Sequence, residues 1–157
     1  MSARLDYFTD NPVAQKVVKH LTSANGVVKN STLPTTTQEL VRIRASQMNG
    51  CAFCLDMHTK DAVAAGETML RLSLVATWRE APVFTAAERA ALELTEQGTR
   101  IADGGHVTDA VWAAAAEHYD EEQLTALAAQ IAVINAFNKL NVISRQPSID
   151  YQPGQFG

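Results

Sequence analysis

Thr36-Thr37-Gln38-Glu39-Leu40-Val41-Arg42-Ile43-Arg44-Ala45-Ser46-Gln47-Met48-Asn49-Gly50 reads as one helix with its own start and stop, and Cys51-Ala52-Phe53-Cys54-Leu55-Asp56-Met57-His58 begins another. Thr36 to Glu39 fits a capping box, in which the first side chain and the fourth satisfy each other's exposed backbone N–H groups. Leu40, Ile43 and Met48 continue an apolar stripe at helical spacing, and Asn49-Gly50 supplies the stop. The second helix is expected from about Cys51 to Gly66. Two helices joined by so tight a connection must pack antiparallel, which points to an all-α domain. Composition agrees: alanine fills 25 positions against eight glycines and five prolines, a balance that favours helix.

Outward from this pair the same signals recur. Asn11-Pro12 starts a helix carrying Val13, Val17, Val18 and Leu21, expected to end before Asn25-Gly26. A short helical segment covers Glu67 to Trp78, and Thr85 to Glu88 is a capping box opening a helix to about Gln97. Gly104-Gly105 is a loop. Two further helices follow, Asp109 to His118 and Glu121 to Ile143, the second opened by Asp120 with Gln123 three residues on. Its residues Leu124, Leu127, Ile131, Ile134, Phe137 and Leu140, with the alanines between them, leave almost no polar side. Such a helix must be buried on several faces, partly by another subunit. Residues 1–145 are therefore expected to form a single helical domain, and 146–157, with two prolines and two glycines, an irregular tail.

The 157 residues suit one domain, and with 46% hydrophobic against 19% charged residues the chain is too apolar to be disordered. A formal net charge of −4, without any basic block, argues against nucleic acid as a partner. The apolar run Ile131 to Ile134 is closed by Asn135, so no membrane span is expected. The stretch Met1 to Phe8 lacks the apolar run of a secretory signal, which places the chain in the reducing cytoplasm.

If Cys51 opens a helix, Cys51, Cys54 and His58 share one face, with both thiols in the first turn. There the unpaired N–H groups and the helix dipole favour a thiolate. His58, one turn beyond Cys54, is placed to accept or return a proton. The Asn49-Gly50 connection folds the preceding helix back, so that the carboxylate of Glu39 reaches His58. Glu39, Cys51, Cys54 and His58 then hold a nucleophile, a resolving thiol, a base and an orienting acid. Each has a plainer reading: the cysteines as small core hydrophobes, Glu39 as the cap of its own helix, His58 as a packing residue. His20, His106 and His118 read as surface or packing residues, and Trp78, Phe84 and Phe137 as core. A c-type haem site fails because Leu55, not histidine, follows Cys54, and no strand precedes the pair as a thioredoxin-like site requires. Zinc would need Glu39 or water as a fourth ligand beside Cys51, Cys54 and His58. The expected chemistry needs no metal and no bound cofactor.

At these residues the sequence resembles the AhpD-like alkylhydroperoxidases of the carboxymuconolactone decarboxylase superfamily. The shared pattern is Glu39, eleven residues, Cys51, two residues, Cys54, three residues, His58. The likeness extends to Trp78-Arg79-Glu80-Ala81-Pro82 and Ile134-Asn135-Ala136-Phe137-Asn138. The resemblance implies an all-helical fold assembling as trimers or hexamers, and reduction of hydroperoxides by the thiol pair with the help of an external thiol reductant. By that analogy Cys54 attacks and becomes a sulfenic acid, Cys51 closes the disulfide, and Glu39 with His58 relays protons. Phe53 stands where the best-studied members carry a histidine, so part of the relay is missing. That departure keeps open a disulfide reductase, or a redox-sensing oligomer that changes packing rather than turning over peroxide.

Overall fold

The structure, a computed structural model, describes residues 3–5, 7, 11–148 and 150–156. Met1, Ser2, Asp6 and Phe8, part of the stretch read for a signal, lie outside them. The described residues form seven α-helices and no strand: α1 Pro12–Lys29, α2 Thr35–Asn49, α3 Ala52–Ala64, α4 Met69–Leu74, α5 Ala86–Thr99, α6 Asp109–Ala116 and α7 Glu121–Ser144. Single 3-10 turns extend α4 over Val75–Thr77 and α5 over Arg100–Asp103. The capping boxes expected at Thr85/Glu88 and Asp120/Gln123 are both formed.

Several boundaries move by a residue or two, and two of the differences have a clear physical cause. Helix α1 runs through Asn25-Gly26 to Lys29. The extra turn buries Val28 in the core, and the Asn25 side chain accepts from Arg42 Nη2 at 3.2 Å instead of breaking the helix. Tertiary burial outweighs the local stop signal. The second difference is the start of α2, where Pro34 precedes the helix and no side chain caps it. The capping box read at Thr36 is absent because the polar residues of this turn face inward: Gln38 Nε2 donates to the carbonyls of Val28 (3.2 Å) and Leu33 (2.9 Å), and Glu39 binds partners on two helices.

Helix α2 is the centre of the domain, packed between α3, α5 and α7. Val41 belongs to a core with Leu33, Leu94, Leu127 and Ile131. On another side, Leu40 and Ile43 meet Trp78, Phe84 and Leu92. Ala45 joins Cys51, Cys54 and Ile134 in a third cluster, against which Phe53 and Phe137 lie half-buried. Gly50, in the left-handed conformation at φ 64°, ends α2 and reverses the chain into α3.

Contrary to the expectation that no segment is long enough to span a bilayer, α7 qualifies by length and composition alone. Here it is the long core helix, with 44% of its apolar window buried inside the domain. Among its buried side chains are Gln130, Asn138, Asn141 and Ser144, polar groups that suit a protein interior better than lipid. Val142 and Ile143 remain exposed near its end. The segment after α7 is irregular but not loose: Tyr151 is buried, its hydroxyl donates to Asp61 on α3 at 2.7 Å, and the Phe156 ring stacks on Tyr151 and Phe53.

Candidate active site

The geometry begins at the α2–α3 turn. Cys51 is the N-cap residue of α3, and its sulfur accepts from the Cys54 backbone N–H at 3.5 Å. A thiol here occupies the place usually held by serine or aspartate, so the unpaired N–H groups of the first turn face it. The Asn49 amide on the preceding turn donates to Asn135 Oδ1 at 2.8 Å and Asn138 Oδ1 at 2.9 Å on α7. Asn138 in turn donates to Ser46 Oγ at 3.0 Å, and Asn141 Nδ2 reaches Cys54 Sγ at 3.2 Å. Asn135, Asn138 and Asn141 thus form a ladder down one face of α7 that pins the turn and touches the thiol pair.

Both cysteines are buried and unbridged. The Cys54 thiol, donating to Cys51, is the largest influence lowering the Cys51 pKa; burial opposes it, and the Cys54 backbone N–H, Asn138 and Asn141 add to it, leaving Cys51 at about 7. The same thiol–thiol bond, then burial and the neighbouring charge, push Cys54 up. Sequence reasoning placed both thiols in the first turn, where a thiolate is favoured; the hydrogen bond from the Cys54 thiol, helped by the Cys54 backbone N–H at the N-cap, favours it on Cys51.

Glu39 and His58 meet as the tight turn implied: Glu39 Oε2 lies 3.0 Å from His58 Nδ1. Both are buried. Arg42, one turn along α2, holds the other carboxylate oxygen. Burial alone would raise the Glu39 pKa, but His58 and then Arg42 outweigh it and the net shift is downward. Glu39 is therefore an anion held between a permanent cation and a titratable ring, not a helix cap.

These groups border a cavity of about 510 Å³ to which Glu39, Cys54 and His58 all contribute, with apolar walls from Phe53, Met57 and Phe137. Glu39 also borders a second cavity, of about 410 Å³, lined by Thr35, Thr36, Glu67, Arg71 and Glu88. Trp78 and Phe84 are core as expected, and Phe137 lines the first cavity. His20, His106 and His118 are exposed. Among the described residues no group of three His, Cys, Asp or Glu side chains is arranged to hold a metal ion, so the zinc alternative finds no ligand set there. Sequence reasoning missed Arg42, Asn138 and Asn141; asparagines recurring every three residues along an apolar helix were the available signal.

Residues 15–97 match the carboxymuconolactone decarboxylase family, and the uncharacterised Bacillus subtilis protein YdfG is 41% identical over 142 residues, 90% of this chain and 94% of YdfG. The chain belongs to the carboxymuconolactone decarboxylase family. Within that superfamily it is AhpD-like. It superimposes with a TM-score of 0.86 and 30% identity, over 96% of its length and all of the other chain, on an Agrobacterium tumefaciens protein of unknown function for which the role of the antioxidant defence protein AhpD has been suggested. The debrominase Bmp8, solved with 2,3,4-tribromopyrrole, shares the family fold at a TM-score of 0.73 and 18% identity, over 88% of this chain and 72% of Bmp8. At that identity the likeness is one of fold alone.

Proposed function

We propose that this family member is a thiol-dependent peroxidase working through a Cys51–Cys54 dithiol–disulfide cycle, with Glu39 and His58 handling protons. One observation carries the reading: Cys54 of a buried dithiol and a buried carboxylate–imidazole pair border the same cavity. The fold also serves a debrominase, so these residues, not the architecture, support the peroxidase reading.

Of the two thiols Cys54 lines the cavity, and we assign the attack to it. Cys51, the more acidic thiol, takes the Cys54 proton as the Cys54 sulfur bonds to the distal peroxide oxygen. The O–O bond breaks, and the departing alkoxide leaves as alcohol with a proton from His58. Cys51 then attacks the resulting sulfenic acid, expelling hydroxide that leaves as water, and closes the disulfide. The sum is two thiols and one hydroperoxide giving disulfide, alcohol and water. An external dithiol returns two electrons and two protons. Glu39 stabilises His58 while it is charged, and the second cavity offers a polar route from Glu39 toward solvent. Within this proposal the protein works in the cytoplasm, where thiol donors are kept reduced, as a trimer or hexamer that covers the exposed Val142 and Ile143.

The deciding experiment is peroxide consumption with dithiothreitol, dihydrolipoamide or thioredoxin as donor. Many equivalents consumed per chain support the peroxidase, whereas one equivalent followed by arrest supports the redox-sensing alternative. Dimedone trapping assigns the order: Cys51→Ser should retain an adduct on Cys54, and Cys54→Ser should lose turnover. Labelling of Cys51 in Cys54→Ser at an unchanged rate would reverse the roles.

A further inference from the structure

Residues 151–156 take no part in the proposed chemistry, yet Tyr151, Pro153, Gly154 and Phe156 form one wall of the cavity that Cys54 and His58 border. The Phe156 ring centroid lies 5.5 Å from that of Tyr151 and 6.5 Å from that of Phe53, the residue next to Cys54. Phe156 itself is 45% exposed, and residues 152–155 are exposed with it. Two hydrogen bonds tie the segment to α3, and both end on one carboxylate oxygen: Asp61 Oδ1 accepts from the Tyr151 hydroxyl at 2.7 Å and from the Gly154 N–H at 3.1 Å. An exposed segment fastened by one carboxylate and one ring stack belongs to the low end of local stability, where opening costs far less than unfolding.

Such a fastening matters because of where the sulfurs lie. Cys51 is 2% and Cys54 1% exposed, and of the two Cys54 is the one that lines the cavity. A molecule therefore meets the pair at Cys54 Sγ, from the cavity side. For reduction of the disulfide this sets the order of events. A donor thiolate bonds to the Cys54 sulfur, the Cys51–Cys54 bond breaks, and Cys51, the more acidic thiol, leaves as thiolate. The donor's second thiolate then bonds to its first sulfur and releases Cys54; the donor is oxidised to a disulfide, and its two protons end on Cys51 and Cys54. Between the two steps the whole donor hangs from Cys54 into the cavity. A volume of about 510 Å³ takes a small organic dithiol but not a folded protein.

We propose that residues 151–156 are a strap that decides by size what reaches Cys54, with Asp61 as its latch and Phe53 as its seat. Closed, the strap admits peroxides and small thiols; bulky molecules reach the sulfur when the latch parts. Asp61, Tyr151 and Phe156 are then specificity-determining residues. The size filter stands on the geometry alone, whereas its part in selecting a reductant rests on the peroxidase reading.

The test is alkylation of Cys54 in reduced, full-length Cys51→Ser protein by iodoacetamide and by iodoacetamidofluorescein, which carry one reactive group on a small and a bulky body. Asp61→Ala and Phe156→Ala, each added to that background, should raise the rate with the bulky reagent at least about fivefold, the shift expected from losing one net hydrogen bond or ring pair. The iodoacetamide rate should move less than about twofold, since the thiol keeps its own surroundings. Asp61→Asn, whose Oδ1 still accepts from Tyr151 and Gly154, should keep the parent's ratio of rates. Phe156 is nearly half exposed, so its truncation spares the fold and keeps the test decisive where Asp61→Ala unfolds.

Equal acceleration of both reagents would mean a more reactive thiol rather than a wider entrance. A bulky-reagent rate that stays at the parent's in either folded variant would mean entry elsewhere, past the exposed Thr22 and Lys29 of α1. Either result overturns the proposal, as does Asp61→Asn labelling like Asp61→Ala. Peroxide turnover is measured alongside with dithiothreitol and with thioredoxin, and Phe156→Ala should raise the thioredoxin rate relative to the dithiothreitol rate; an unmoved ratio strikes the part in selecting a reductant. Turnover with labelling that ignores size sinks this inference alone, and a working size filter without turnover of any peroxide sinks the peroxidase reading alone.

Discussion

Two buried carboxylates, Glu39 on α2 and Glu96 on α5, show how similar groups are put to different ends. Glu96 is 1% exposed and accepts from Arg44 Nε, Trp78 Nε1 and Arg79 Nη1, each at 2.8 Å. Burial pushes its pKa up, but Trp78, Arg79 and Arg44 together bring it below the ordinary value. Its partners hold their protons at all ordinary pH, so the knot is permanent and ties α2, α5 and the turn at Trp78 together. Glu39 has one fixed cation, Arg42, and one partner that titrates, His58, and it borders two cavities. A carboxylate closed off by permanent donors is structural; one shared with an imidazole at a cavity wall can take part in proton transfer.

The largest effect that would sharpen this contrast is on rate. Glu39→Gln should slow peroxide turnover by about 100- to 10,000-fold, the usual cost of losing proton-transfer assistance, and, measured at a temperature where the variant is folded, that loss stands apart from the roughly 3 kcal/mol of stability lost by leaving the buried Arg42 unpaired. A rate within about threefold of wild type, with His58→Gln equally benign, would make the Glu39–His58 pair a packing feature.

Glu96→Gln should lower stability without the loss of rate. Removing one member of a buried ion cluster leaves its cations poorly paired, which costs about 3 kcal/mol, or roughly 6 to 12 °C for a chain of this size. Turnover below the melting range should change little. Because the folded Glu96 pKa lies below its ordinary value of 4.5, its contribution is full above that pH and lost as pH falls through the folded value. The gap in chemical stability between wild type and Glu96→Gln should therefore narrow below about pH 4.5; a gap that widens there would refute the assignment.

A smaller effect concerns the thiols. Thiolate absorbance should rise through a midpoint near pH 7, as Cys51 loses its proton, and Asn138→Ala should move that midpoint up by about half a unit, the worth of one net hydrogen bond. A midpoint unmoved by Asn138→Ala and abolished only in Cys54→Ser would place the acidic thiol on Cys54. Asp61 is a third carboxylate, intermediate between the other two, whose partner Tyr151 is pushed up to about 12 by burial and then by Asp61 itself. Tyr151→Phe should cost only about 1 kcal/mol, read in denaturant melts; a larger loss would mean that the terminal segment holds the fold rather than only closing over Phe53.

What was legible in the sequence was what short-range physics decides. Caps at Thr85 and Asp120, the glycine-ended turn at Gly50, and the period that puts Cys51, Cys54 and His58 on one face all depend on neighbours within a few residues. So did the meeting of Glu39 with His58, because a two-residue turn leaves two helices little freedom. Long-range burial decided the rest. Asn25-Gly26 reads as a stop until Val28 has a core to enter, and Thr36 to Glu39 reads as a cap until α2 is found buried on every side. Cys51 stands at the N-cap, one residue before the helix starts at Ala52, and there its sulfur accepts from the Cys54 backbone N–H. The asparagine ladder of α7 and the Glu96 knot join residues tens of positions apart. A polar side chain in a helix carries no local sign of whether water or another buried group will answer it, and only the packed chain settles which.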